Sequence, residues 1–306
     1  MRLSHALVYL VLLGMLCLPG LAVAQDASPT TGVPPVVTEA IGYPHFEQFL
    51  VYGEDDPDRQ YLSVYTLEPR EKPRPAVVLI HGGGFVFGAP GDMLGNARPF
   101  VDSGFVTFSV GYRLFDEAAG ENQFPTALDD VQLAVRWIRA HAAEFNIDPD
   151  RIAAIGPSTG GHLAGLMGTM ETRDPSAPLQ EYSSRVTCVV SISGDLDLTV
   201  PFSTFWAPLY AKIMGGSLEE HPELHEAASP EFHVDEDTAP FMMAHGTADV
   251  DSPVQQSRNM VAVLTEAEIE YVYAEFPGKS HGGVIGQPQT WALALTFVEY
   301  QLHPER

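Results

Sequence analysis

The order of apolar runs along the 306 residues predicts an α/β fold, with a mostly parallel central sheet flanked by helices. Three observations carry that expectation. Short runs at residues 76–80 and 152–155 are apolar from end to end, and the run at 106–110 is short and β-branched, as expected of buried parallel strands. Between them lie stretches such as Leu128, Val131, Val135 and Ile138, whose spacing of three and four puts one apolar stripe on a helix. The two kinds of segment then alternate towards the C-terminus, the pattern of strand–helix–strand crossovers.

Taken in order, residues 46–52 and 61–65 read as an antiparallel pair around the polar turn Glu54-Asp55-Asp56-Pro57-Asp58. The buried strands at 76–80 and 106–110 follow, then a helix over 126–145. A strand at 152–155 leads into a helix over 159–171, and 186–192 and 241–244 repeat the strand pattern. Helices are expected at 253–268 and 291–302, with a strand at 271–275 between them. Residues 195–236 are aromatic, contain proline and show no strand pattern, so they read as a cap-like insertion over the sheet.

The first 24 residues differ in kind. Arg2 precedes the apolar run of residues 6–17, and Ala22-Val23-Ala24 offers the small-x-small pattern of a signal-peptidase site. The run is shorter than the roughly 20 residues a membrane helix needs, and Pro19-Gly20 interrupts it. The reading is a signal peptide at 1–24, a flexible leader at 25–40 and a single α/β domain at 41–306. The mature protein would then be periplasmic or secreted, with no stable membrane insertion. Sixteen basic against forty acidic residues give a formal charge of −24, which disfavours nucleic-acid partners. Of the two cysteines, Cys17 would leave with the signal and Cys188 lies in an apolar run, so no intramolecular disulfide is expected.

Four local signals carry chemistry. Gly156-Pro157-Ser158-Thr159-Gly160 follows one buried strand and opens a helix rich in small residues. A strand, a sharp turn and a helix are the context that exposes a nucleophilic serine. A second match to the same pattern, Gly278-Lys279-Ser280-His281-Gly282, precedes a stretch rich in glycine and proline that is not expected to start a helix promptly, which makes Ser280 the decoy. His81-Gly82-Gly83-Gly84 follows the strand at 76–80. Its glycines let backbone N–H groups approach a substrate carbonyl, so Gly83, Gly84 and the N–H of Thr159 are the expected oxyanion hole. His81 itself is expected to be a structural hydrogen-bonding group.

Asp249, in His245-Gly246-Thr247-Ala248-Asp249, lies just past a strand end, where open α/β sheets build their sites. His281 follows the strand at 271–275. The order Ser158, Asp249, His281 then reads as a triad of nucleophile, orienting acid and general base. Asp251, beside Ser252-Pro253, is expected to neighbour the start of a helix instead. His162 is expected to pack within its helix. The scattered histidines show no metal-ligand spacing, so no metal and no cofactor are expected.

These residues resemble the α/β-hydrolase superfamily, and most closely the hormone-sensitive-lipase-like bacterial esterases and the acetylxylan or feruloyl esterases beside them. Further matches are Gly111-Tyr112-Arg113-Leu114, Asp129-Asp130-Val131, Gly160-Gly161-His162-Leu163-Ala164 and Ala228-Ser229-Pro230. The resemblance implies an α/β-hydrolase fold and the roles given above. Two positions depart from it: Thr159 stands where alanine is usual, and Pro157 where a small or acidic residue is common. Their bulk, with Phe85 and Phe87, is expected to narrow the acyl pocket.

The leading expectation is a serine carboxylic-ester hydrolase acting on short-acyl, small-molecule or carbohydrate-linked esters. Amide cleavage, as in an arylformamidase or small-peptide hydrolase, is the second reading. A non-catalytic binding protein on the same fold is the third, and would predict a broken triad.

Overall fold

The computed structural model describes residues 45–67, 71–200 and 206–303. The expected leader segments at 1–24 and 25–40, and the cap residues Phe202 and Phe205, lie outside them. The strands are β1 (His45–Val51), β2 (Tyr61–Thr66), β3 (Arg74–Ile80), β4 (Val106–Val110), β5 (Ile147–Pro157), β6 (Cys188–Ile192), β7 (Phe241–Gly246) and β8 (Tyr271–Phe276). The helices between and after them are α1 (Leu94–Asp102), α2 (Thr126–Ala140), α3 (Ala142–Phe145), α4 (Thr159–Thr169) and α5 (Ala207–Met214). There follow α6 (Pro222–Ala227), α7 (Gln255–Glu266), α8 (His281–Ile285) and α9 (Pro288–Leu302).

One sheet contains the eight strands in the order β1-β2-β4-β3-β5-β6-β7-β8. The β1–β2 and β2–β4 pairs are antiparallel and all later pairs are parallel. From β3 the chain moves outwards to β4 and then returns to the other side of β3 as β5. That reversal makes the C-terminal ends of β3 and β5 the switch point of the sheet, where diverging connections leave a crevice. The Gly-rich loop leaves β3 there, and Ser158 leaves β5 beside it.

Strand periodicity sorts the core into two layers. Ala76, Val78 and Ile80 of β3 pack towards Leu128, Val131, Val135 and Ile138 of α2 and Leu163 of α4. Val77 and Leu79, pointing the other way, meet Ala97, Phe100 and Val101 of α1 and Ala294 and Val298 of α9. All of these are at or near zero exposure. Truncating one of them, for example Ile138→Ala, should cost about 2–5 kcal/mol. Asp130 on α2 is buried and receives Gln60 Nε2 at 2.7 Å, together with the backbone N–H and guanidinium of Arg113. A buried carboxylate so paired ties β2 and the loop after β4 to α2.

Two details depart from the sequence reading. The helix expected over 126–145 breaks at His141 into α2 and α3, and Asn146 ends it in a left-handed conformation at φ 50°. Helix α1 was not expected, because Gly95, Asn96 and Pro99 obscure its apolar stripe. Between β6 and β7, residues 195–200 and 206–236 hold α5 and α6 and no strand. Among the described residues no helix is long and apolar enough to cross a membrane. Cys188 is buried and unbridged, and burial pushes its thiol far above the usual range.

Candidate active site

Ser158 sits on the hinge between β5 and α4 with φ 53° and ψ −127°, a conformation costly for a residue with a Cβ. The turn is over-determined by its surroundings. The N–H of Ser158 donates to the Ile192 carbonyl at 2.8 Å, and its own carbonyl accepts the N–H of His162 at 3.0 Å. Gly160 is pressed so closely onto β3 that a Cβ there would fall 2.0 Å from the Ile80 carbonyl oxygen. Every residue of α4 is buried, so the helix that follows the serine is anchored in the core. Within it His162 gives its Nδ1–H to the Asp195 carbonyl at 2.6 Å, and burial lowers its pKa.

The loop after β3 is held from below. His81 stacks on Tyr112 with ring centroids 4.2 Å apart and donates Nδ1–H to the Gly82 carbonyl at 2.8 Å. Burial lowers its pKa to about 4, so it is neutral near pH 7 and acts as a fixed donor. Gly83 has φ +126°, and a Cβ on it would meet the Phe87 carbonyl oxygen at 2.0 Å.

The expected hole residues are not equivalent. The N–H of Gly84 donates to Thr159 Oγ1 at 2.8 Å, so this expected oxyanion donor is already engaged by the side chain of another. Among the described residues, the N–H groups of Gly83 and Thr159 meet no protein acceptor. The expectation that Thr159 narrows the acyl pocket is also corrected. Its side chain is fully buried and does not line the cavity, because its hydroxyl turns to the Gly84 N–H. Phe85 is likewise buried in the core.

The acid and histidine come from the loops after β7 and β8. Asp249 Oδ2 accepts His281 Nδ1–H at 2.8 Å, and the aspartate side chain is completely buried. Its Oδ1 accepts the N–H groups of Asp251 at 3.0 Å and Ser252 at 2.9 Å. His245 is a buried neighbour that sequence reasoning did not single out. Its Nε2 faces the Ser252 carbonyl at 2.9 Å and Asp249 Oδ2 at 3.3 Å, two acceptors, so that nitrogen carries the proton. Its Nδ1 accepts from the Ser257 hydroxyl at 2.8 Å. Burial alone would raise the Asp249 pKa, but His245, His281 and the Ser252 N–H together hold it far below the usual carboxylate range. Burial would lower the His281 pKa, and the hydrogen bond and charge of Asp249 outweigh it, leaving a net rise.

Two neighbours differ from the sequence reading. Asp251 does not flank a helix start, since α7 begins only at Gln255. Its Oδ1 instead accepts Trp206 Nε1–H at 2.9 Å, and it lines the cavity. A helix does begin promptly after Ser280: the serine is exposed, caps α8, and its Oγ accepts the Gly283 N–H at 3.3 Å. Asp249, Asp251 and His281 each bring one ligand-type atom within 4.8 Å of the others. The Asp249 oxygens are, however, already filled by N–H donors, which leaves this group a poor metal cage.

Ser158 and His281 line one cavity of about 290 Å³, together with Gly83, Gly84, Phe87 and Pro157. The walls on the far side come from the segment between β6 and β7 and from the loop after β7: Asp195, Trp206, Tyr210 and Asp251. Asp195 was missed as a site residue. Its signal was the one used for Asp249, an acid just past the end of a parallel strand.

Strand order, crossovers and the serine-bearing turn after β5 put this chain in the α/β-hydrolase class. Comparison with known proteins narrows that to a family. The chain belongs to the BD-FAE family, whose model matches residues 62–264. Esterase LipC of Mycobacterium tuberculosis is 33% identical over 273 residues, covering 84% of this chain and 65% of the relative. The chain spans 65% of the length of that relative and 53% and 43% of two further curated relatives. Among solved structures, a truncated carbohydrate esterase from gut microbiota superposes with a TM-score of 0.74 at 24% identity. That match covers 86% of this chain and 98% of the other, and speaks to the fold alone. An acetyl ester-xyloside bifunctional hydrolase from Caldicellulosiruptor lactoaceticus gives 0.68 at 25% identity, over 78% and 87% of the two chains.

Proposed function

We propose that this chain is a serine carboxylic-ester hydrolase, with Ser158 as nucleophile, His281 as general base and Asp249 as the residue that orients it. One observation carries the reading. Asp249 takes the Nδ1–H of His281, which leaves Nε2 as the basic nitrogen of a histidine sharing a cavity with Ser158. Ser158 Oγ attacks the ester carbonyl carbon as its proton passes to His281 Nε2. The N–H groups of Gly83 and Thr159 receive the developing oxyanion. His281 returns the proton to the departing alcohol oxygen, leaving an acyl group on Ser158. A water, deprotonated by His281, then attacks that acyl carbon, and the acid leaves as Ser158 recovers its proton.

A cavity of about 290 Å³ suits a short acyl group on a small or carbohydrate alcohol. The esterase named among the relatives and the carbohydrate and acetyl-ester hydrolases among the structures fit the same substrate class. The test is turnover of p-nitrophenyl acetate by the whole chain and by Ser158→Ala. Hydrolysis that the substitution abolishes while the far-UV spectrum is kept supports the reading, and hydrolysis that survives it overturns the reading. Export is proposed on the leader sequence alone, and N-terminal sequencing of secreted protein that begins at or near Gln25 would support it.

A further inference from the structure

The cavity carries two carboxylates that hydrolysis of a neutral ester does not require. Asp195, just beyond β6, is 3% exposed. Its Oδ2 accepts the Tyr210 hydroxyl, while Oδ1 is buried and has no hydrogen-bond partner among the described residues. A buried carboxylate oxygen without a donor is costly, and a ligand that brings positive charge to it recovers that cost. Asp251 spends one oxygen on Trp206 Nε1.

Aromatic rings complete the wall. Phe87 lines the cavity and is 60% exposed, and Trp206 packs so close to the glycine loop that a Cβ on Gly84 would lie 2.9 Å from its Cζ3. Aromatic faces beside carboxylates attract ammonium groups. Among the described lining residues there is no lysine or arginine, and His281 serves as a base only when neutral. The net charge of −24 adds a long-range field of the same sign.

The location of the charge indicates which half of the substrate it reads. A carboxylate oxygen of Asp251 lies within 4.8 Å of a ring nitrogen of His281, the residue that must protonate the leaving alcohol. Asp251 thus stands on the His281 side of the cavity, from which the alcohol departs, and holds Trp206 beside it. We propose that this cavity selects esters whose alcohol carries an ammonium group, and rejects those whose alcohol is anionic. The proposal rests on the roles given above to Ser158 and His281.

The experiment compares kcat/KM for three acetates, each divided by its rate with hydroxide: acetylcholine, its neutral carbon isostere 3,3-dimethylbutyl acetate, and anionic 3-sulfopropyl acetate. Acetylcholine should exceed the isostere by about tenfold, and the sulfonate should fall below it by a similar factor. Asp251→Asn, whose amide oxygen can still accept from Trp206, should lower the cation-to-neutral ratio threefold or more, and Asp195→Asn should do the same. A loss of fold or general activity lowers both rates and leaves the ratio unmoved. A wild-type ratio of one or less overturns the proposal, as does a preference that both variants retain in full, since that would come from the overall field and not the cavity. Failure to hydrolyse the neutral isostere and p-nitrophenyl acetate alike would instead overturn the ester-hydrolase reading itself.

Discussion

Asp249→Asn replaces one oxygen by an NH₂ group and alters little else, and the surroundings decide which way the amide turns. Oδ1 of Asp249 receives two backbone N–H groups, from Asp251 and Ser252, whereas the His245 Nε2–H near Oδ2 keeps the Ser252 carbonyl as its acceptor, so the amide oxygen stays at the Oδ1 position. The NH₂ then takes the place of Oδ2, 2.8 Å from His281 Nδ1. Nδ1 must become an acceptor, the imidazole proton moves to Nε2, and the nitrogen proposed to take the Ser158 proton is already protonated. The expected loss is roughly 10⁴-fold in kcat, or about 5.4 kcal/mol of transition-state stabilisation. The assay is steady-state hydrolysis of p-nitrophenyl acetate, with thermal unfolding to show that the variant is folded. Asp251→Asn touches neither His281 Nδ1 nor these N–H acceptor positions, and its kcat should stay orders of magnitude above that of Asp249→Asn. A folded Asp249→Asn within tenfold of wild type, or a reversed order of the two variants, would refute the reasoning.

Other outcomes follow from the same geometry. Asp249 raises the His281 pKa, so kcat/KM should rise with pH through an apparent value above the ordinary 6.5; a midpoint at or below 6.5 would contradict the pairing. Stability moves the other way: a raised native pKa contributes fully below the unfolded value and is lost as pH rises through the native one. Gly160→Ala places a methyl 2.0 Å from the Ile80 carbonyl, so soluble, active protein at wild-type yield would contradict the tight turn. Acetyl to butyryl esters should be preferred, since Phe87 and Pro157 line a cavity of about 290 Å³; a higher kcat/KM for decanoyl than for butyryl esters would contradict that.

The legible parts of this molecule are those written locally. The strand at 76–80 declares itself by an unbroken apolar run and that at 106–110 by its β-branched residues, and the candidate residues Ser158, Asp249 and His281 each lie a few positions past an expected strand. Their assembly follows from topology, because β5, β7 and β8 run parallel and deliver their loops to one end of the sheet. What the sequence did not disclose depends on partners far along the chain. Asp251 meets Trp206 from 45 residues away, and Thr159 turns its hydroxyl to an N–H 75 residues earlier. Neither pairing leaves a periodic or spacing signal. Helix α8 escaped for a local reason: five residues with two glycines carry no stripe, and the cap from Ser280 is what starts it.

The central claim is that Ser158, and not Ser280, is the nucleophile. A fluorophosphonate probe followed by peptide mass spectrometry tests it most directly, because only a serine activated by a neighbouring base reacts readily. The expected result is a single adduct on Ser158, at full occupancy in wild type and absent in Asp249→Asn over the same time. An adduct on Ser280, or no adduct on a protein that still hydrolyses p-nitrophenyl acetate, would contradict it.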